Sequence, residues 1–317
     1  MKIKGTGSFL PDRIATNHDL EKIVDTNDEW IRSRTGIKER RISIGDSTAD
    51  MAVKAAQNAL KDAGMKAEQL DMIITATLSG DHATPSTACQ VQGAIGAINA
   101  VCFDLNAACS GFLYSMATAQ AYMASGMAEN VLVIGVETLS KLIDWNDRST
   151  CVLFGDGAGA AVVVKDDHDM KMVMGSDGSK GMVLTCGERK LNNCYYDGEK
   201  TLDPIAMNGQ EVFRFAVKTV PKCVKEVLAQ AGKTVDDIDH YLLHQANKRI
   251  IESVSKRLKV PMEKFPMNLM HCGNTSSASI PILLDEVNKQ GLLKRGDSIV
   301  LCGFGGGLTW GAIYLEW

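Results

Sequence analysis

Apolar positions recur along the chain with two different periods. From Met51 to Ala63 and from Val212 to Ala231 they return every three or four residues, which predicts amphipathic helices. Short β-branched runs such as Ile73-Ile74-Thr75 and Val131 to Ile134 predict buried strands. Two stretches carry no charge at all. Leu105 to Ala128 is long enough to span a bilayer. It is rich in Ala and Gly, however, and interrupted by Asn106, Ser110, Ser115, Thr118, Gln120 and Ser125. Ala83 to Phe103 is likewise uncharged and is broken near its start by Pro85 and polar residues. Both are expected at the centre of a large soluble protein, at a subunit interface, rather than in a membrane.

The pattern repeats. Asn58–Gly64 resembles Glu226–Gly232, 168 positions later, and the same shift sets Leu70-Asp71 on Ile238-Asp239 and Val131–Gly135 on Ile299–Gly303. Gly159–Val162 matches Gly311–Tyr314 at an offset of 152, so the first copy holds 16 extra residues around Leu139 to Phe154. Each copy reads helix, strand, helix, strand and a last glycine-led strand. Two such α/β units are expected to pack about a pseudo-two-fold axis, as halves 1–168 and 169–317. The 168 offset aligns Ala76 with His244 and Cys109 with Ser277, so the copies bring different polar residues to equivalent strand ends.

Composition narrows the function classes. The chain has 317 residues, 45% apolar and 23% charged, long for one core and comfortable for two. A net charge of −4 argues against a nucleic-acid binder. Nine cysteines with no C-x-x-C pair show neither a zinc knuckle nor a redox motif. The N-terminus does not read as a signal peptide, so free thiols in a cytoplasmic protein are expected.

Four segments could carry chemistry. Cys109 follows a strand ending near Leu105 and precedes an Ala-rich helix from about Ser110 to Ala124; a helix N-terminus favours thiolate, although most free cysteines are merely small buried residues. The other eight cysteines are read as the latter. His244 stands at a strand end before a helix. Asn274 lies in a tight turn, G-N-T-S-S, where a capping role is the plain alternative. Gly305-Gly306-Gly307 follows a strand and exposes backbone N–H groups, suiting an oxyanion hole; a phosphate loop is the rival, but no Lys-Ser/Thr follows.

Cys109 in A-A-C-S-G, His244 in H-Q-A-N-K-R-I, Asn274 in G-N-T-S-S-A-S and the tail F-G-G-G-L-T-W-G together resemble the β-ketoacyl-acyl-carrier-protein synthase III family of thiolase-superfamily condensing enzymes. The resemblance runs almost end to end, from G-T-G-S-F-L-P and D-E-W-I-R-S-R-T-G-I onward. It implies a thiolase-like α/β fold with duplicated halves in an α-β-α-β-α layering. It implies a ping-pong reaction in which Cys109 is acylated by an acyl-CoA and the acyl group condenses with decarboxylating malonyl-acyl carrier protein. Cys109 and Gly306 would supply the oxyanion N–H groups, and His244 and Asn274 would hold the malonyl thioester oxygen. Trp30 and Arg148 would clamp the CoA adenine with Arg34 at its phosphates; Asn247 would bind pantetheine, and Phe304 would pack beside the thiol. No metal or cofactor is implied, and a homodimer is.

Lys248, Arg249, Lys256 and Arg257 on one helix, and Arg214, Lys218 and Lys222 on another, are ordinarily just solvated faces. Beside the mouth of an acidic enzyme they suit docking of an acidic carrier protein, with Gln245 included. Thr84 occupies a position that some relatives fill with a bulky aromatic lining the partner's acyl pocket, which leaves room for longer or branched primers. Cys272 would be a second oxidisable thiol if near the site. Rival readings are a condensing enzyme of a polyketide or specialised lipid pathway, a Cys-His-Asn hydrolase of the papain kind, and an acyl-binding scaffold without activity.

Overall fold

The computed structural model describes residues 1–168, 170–187 and 203–317; Cys194 lies outside them. Strands β1 (Lys2–Phe9), β2 (Met72–Ala76), β3 (Val101–Leu105), β4 (Asn130–Thr138) and β5 (Asp156–Val164) form one sheet in the order β1-β5-β4-β2-β3. A second sheet holds β6 (Lys171–Ser176), β7 (His240–Leu243), β8 (Ser298–Gly305) and β9 (Thr309–Glu316) in the order β7-β8-β9-β6. The second is the first over again without a counterpart of β3. In the first sheet Ile134 faces Ala160, and in the second Cys302 faces Ala312. The two sequence offsets are therefore the registers of two equivalent strand pairs.

Helices α1 (Asp28–Thr35), α2 (Thr48–Ala63), α3 (Thr87–Ile95), α4 (Gly111–Ala124), α5 (Gly209–Gln230), α6 (Lys248–Leu258) and α7 (Ser279–Lys289) complete the layers. α2 and α3 cover the outside of the first sheet, α4 and α7 lie between the sheets, and α5 and α6 cover the second. The α-β-α-β-α arrangement expected from the sequence is present.

Strand alternation explains why both sheets can be buried on two faces. Ile73, Leu132 and Ile134 point to the outer core under α2, while Ile74, Val131 and Val133 point inward to α4 and α7. One face of α4 is fully buried, with Phe112, Leu113, Met116 and Ala119 showing no exposure, while Ala121 and Ala124 are exposed. Among the described residues no helix is long and apolar enough to cross a membrane. Local signals agree with the long-range ones. Ser47 accepts the Asp50 N–H while Asp50 accepts the Ser47 N–H, a reciprocal cap that starts α2, and Gly64 at φ 60° ends it.

Each central helix is preceded by a sharp turn, Ala108–Ser110 before α4 and Ser276–Ala278 before α7. Ala108 and Ser276, equivalent at the 168 offset, share a left-handed backbone with φ 47° and 49°. Each turn is seated on a strand glycine of the opposite half. A Cβ on Gly135 would lie 2.3 Å from the Ser277 carbonyl oxygen, and one on Gly305 would lie 2.6 Å from the Cys109 nitrogen. The halves diverge where β3 leads to Cys109. At the matching place the second half has a short helix, Leu269–Cys272, leading to Asn274.

Candidate active site

Cys109 stands at the wall between two cavities. One, of about 220 Å³, is also lined by His244, Asn274, Asn247, Phe304 and Phe213. The other, of about 320 Å³, is lined by Leu139, Phe154, Leu184, Ile205 and Gly306 among others. The nucleophile candidate, the imidazole and the carboxamide thus meet in one space, although they come from different halves.

The polar groups there have fixed orientations. Asn274 is tied by its backbone to the first half, with its N–H donating to Leu153 O at 2.9 Å and its carbonyl accepting from Gly155 at 3.0 Å. Its Oδ1 accepts the Ser276 N–H at 2.9 Å, which leaves the Nδ2 hydrogens for the cavity. His244, only 2% exposed, has Nδ1 2.6 Å from the Ser279 hydroxyl and its ring edge-on to Phe304. Ser279 also accepts the Gln245 N–H at 3.4 Å, and in the tautomer in which it donates its own hydrogen to Nδ1 the imidazole hydrogen sits on Nε2. Two donors, Nε2–H and Nδ2–H, consequently belong to the chamber that holds the thiol. Among the described residues no acceptor takes the backbone N–H of Cys109 or Gly306.

The electrostatics differ from the sequence expectation in one respect. Burial pushes the Cys109 thiol up to about 12, with the Ser276 hydroxyl acting in the opposite sense, and burial pushes His244 down to about 3. The resting pair is a neutral thiol and a neutral imidazole. Desolvation of Cys109, a residue 8% exposed, raises the thiol, in the opposite sense to the thiolate bias expected at the end of α4.

At the surface, the Arg34 and Arg148 guanidinium carbons lie 5.1 Å and 5.0 Å from the Trp30 ring centroid. Arg148 also donates to Asp25 O at 2.8 Å. Asn247 links this cluster to the cavity. Its Oδ1 caps α6 by accepting the Arg249 N–H at 2.9 Å, and its Nδ2 donates to Arg34 O at 3.0 Å. The Arg249 guanidinium lies over Phe213, 5.8 Å from the centroid, at the edge of the same cavity. Arg214, Lys218, Lys222, Lys248, Lys256 and Arg257 are exposed, and Arg214 pairs with Glu211 at 2.6 Å. Thr84 is exposed and lines neither cavity.

Three expectations need correction. Gln245 is not a surface residue: it is 1% exposed, donates to Leu243 O and accepts from the Asn268 and Leu269 N–H groups. Its amide is consumed in holding the loop after β7, so it cannot dock a partner. Cys272 lines neither cavity and packs beside Ala278 and Ile282, with burial pushing its thiol up to about 12. It is a core residue, as its small size and apolar neighbours allow. Cys186, by contrast, is a second thiol lining the 320 Å³ cavity, not the buried filler expected. The sequence reading also missed Glu137, Ser276 and Ser277, which form a buried hydroxyl–carboxylate cluster behind Cys109. A lone carboxylate closing the apolar run Val131–Val136 was the available signal.

Family models for 3-oxoacyl-[acyl-carrier-protein (ACP)] synthase III match residues 103–178, and for its C-terminal part residues 228–317. A β-ketoacyl-[acyl-carrier-protein] synthase III of Clostridium acetobutylicum is 53% identical, over 100% of this chain and 98% of its own length. The chain belongs to the 3-oxoacyl-[acyl-carrier-protein] synthase III family. The crystal structure of the Aquifex aeolicus synthase III is 48% identical and superposes with a TM-score of 0.92 over 100% of this chain and 99% of its own. A priming β-ketosynthase from the R1128 polyketide pathway, 35% identical, reaches a TM-score of 0.93 over 99% and 95% of the two chains. As a synthase III the chain is a condensing acyltransferase of fatty acid initiation.

Proposed function

We propose that this synthase III joins an acyl-CoA primer to malonyl-acyl carrier protein by decarboxylative Claisen condensation, releasing CoA and CO2. The observation that carries the reading is the convergence of Cys109, His244 and Asn274 on one cavity. Cys109 attacks the primer thioester, and the N–H groups of Cys109 and Gly306 receive the developing oxyanion. One such donor contributes about 3 kcal/mol to lowering the barrier. Malonyl thioester then enters the 220 Å³ cavity. As carboxylate leaves, His244 Nε2–H and Asn274 Nδ2–H hold the enolate oxygen, and the carbanion attacks the acyl-enzyme. A neutral His244 suits this role, since it donates without giving up its proton. Each step uses protein groups and the two substrates.

The Trp30, Arg34 and Arg148 cluster fits the adenine and phosphates of CoA, with Asn247 toward the pantetheine. The basic faces of α5 and α6, with Arg249 at the cavity edge, fit an acidic carrier protein. We assign residues 1–168 to the half that brings the nucleophile and 169–317 to the half that brings the two donors. A homodimer is supported by β3, whose outer edge is unpaired among the described residues, and by exposed Ile98 and Val101 beside it. In such a dimer Thr84 would reach the partner's 320 Å³ cavity and leave space for primers longer than acetyl. The eight described cysteines are all free, which suits a cytoplasmic enzyme.

Mass spectrometry after mixing with acetyl-, isobutyryl- and octanoyl-CoA tests the reading. A retained acyl group that disappears in Cys109→Ser supports it, and retention elsewhere rejects it. The match to a polyketide priming synthase favours one second reading, a starter enzyme of such a pathway. The final carrier separates the two: product must form on the fatty-acid carrier protein for the first reading to stand.

A further inference from the structure

Glu137, at the end of β4, has no exposure and no part in the steps above. Its two oxygens have unlike surroundings. Oε2 accepts from the Ser79 hydroxyl at 2.5 Å, the Leu78 N–H at 3.2 Å and the Thr77 hydroxyl at 3.4 Å. Among the described residues Oε1 meets only Ser277 at 2.8 Å and Ser276 at 3.3 Å, both hydroxyls from the other half. Each of those hydroxyls has one hydrogen and a second neighbour. Ser277 also lies 2.9 Å from Ala76 O, and Ser276 lines the 320 Å³ cavity together with Cys109. Oε1, with fewer donors than Oε2, is therefore the oxygen with room for a proton, and Ser276 stands between it and the cavity that Cys109 lines.

His244 is poorly placed to act as the base. In the tautomer that serves the enolate oxygen, Ser279 donates to its Nδ1 and Nε2 carries the hydrogen that faces the cavity. Some other group has to take the thiol proton.

We propose that Glu137, acting through Ser276, accepts the proton of Cys109 during acylation. As Sγ bonds to the thioester carbon, the S–H bond breaks and its proton passes to Ser276 Oγ. The Ser276 hydroxyl proton moves at the same time to Glu137 Oε1. When the bond from that carbon to the CoA sulfur breaks, the departing sulfur stands beside Cys109. It takes a proton back along the same two oxygens. A thiol and a thioester have entered, a thiol and a thioester leave, and Glu137 ends in the protonation state in which it began. Burial raises the carboxyl, which makes Glu137 a stronger proton acceptor, and raises the thiol as well. The titratable groups that feel the carboxylate are the thiols of Cys109 and Cys186, and hydroxyls and one backbone amide, not a cation, hold it.

The proposal rests on Cys109 being the acylated residue, which loss of acyl retention in Cys109→Ser tests separately. For the relay itself, single-turnover acylation by acetyl-CoA is followed from roughly pH 6 to 9 in the wild type, Glu137→Gln and Ser276→Ala. Ser276→Ala keeps a fold already accommodated in the other half, where Ala108 adopts the same φ. Both variants are expected to slow acylation about tenfold or more at pH 7 and to move the rise in rate to higher pH, where hydroxide takes the proton. Alkylation by iodoacetamide, which needs no CoA binding, is expected to shift the same way. A profile lowered in amplitude but unmoved shows a purely structural role and overturns the proposal. A profile displaced to lower pH shows a carboxylate that only repels the thiolate, and overturns it too. Should Glu137→Gln fail to fold, Ser276→Ala decides.

Discussion

Asn274→Asp separates the two half-reactions at nearly constant shape. In the wild type Oδ1 accepts the Ser276 N–H at 2.9 Å, and an aspartate keeps that bond with one of its oxygens. The other arm changes from an N–H donor to an acceptor where negative charge develops on the malonyl thioester oxygen. Losing one such donor raises a barrier by about 3 kcal/mol, near 10²-fold in rate, and repulsion by the new carboxylate adds to it. Primer acylation does not use this group. Carbon dioxide release from malonyl-acyl carrier protein is therefore expected to fall by about 10²-fold or more, while the acyl-enzyme burst seen by mass spectrometry stays within about threefold of wild type. A melting temperature near that of the wild type confirms the fold. Equal losses in both half-reactions, or none in either, would refute the assignment of Asn274 to the enolate.

Further tests address the docking face, the seat of the nucleophile and the buried imidazole. Arg249→Glu is expected to slow the carrier-protein reaction about tenfold while sparing acylation by acyl-CoA, with the gap shrinking at high salt; equal slowing with both substrates removes the docking role. Gly305→Ala puts a Cβ 2.6 Å from the Cys109 backbone nitrogen, so it should destabilise the fold by about 1–3 kcal/mol and depress acylation. Denaturant melts and burst amplitudes check both effects. His244 is held near 3 when folded and titrates near 6.5 when unfolded, so between those values the unfolded chain binds the extra proton. Stability is accordingly lost as pH falls below 6.5, by about 2 kcal/mol at pH 5 from this residue. His244→Gln should lose less stability than the wild type between pH 7 and pH 5, and identical urea midpoint shifts in the two proteins would contradict the burial argument.

Much of the architecture can be read from the chain alone because it depends on local periodicity repeated at a fixed distance. The 168-residue offset carries strand onto strand, turn onto turn and even Ala108 onto Ser276. Cys109, His244 and Asn274 are legible for a related reason: each sits where a strand or turn hands over to a helix, and the duplication points those ends toward one axis. Charge state was not legible. A helix terminus is a local feature that favours thiolate, but desolvation depends on everything packed around the sulfur, and here it dominates. Gln245, beside His244 in the chain, turns into the core because the loop 268–269 needs an acceptor for its N–H groups. Glu137 becomes meaningful only when Ser276 and Ser277, some 140 positions away, close over it. Hydrophobic spacing is fixed by neighbours in sequence. Burial, proton positions and hydrogen-bond partners are fixed by neighbours in space, and those came from the folded chain.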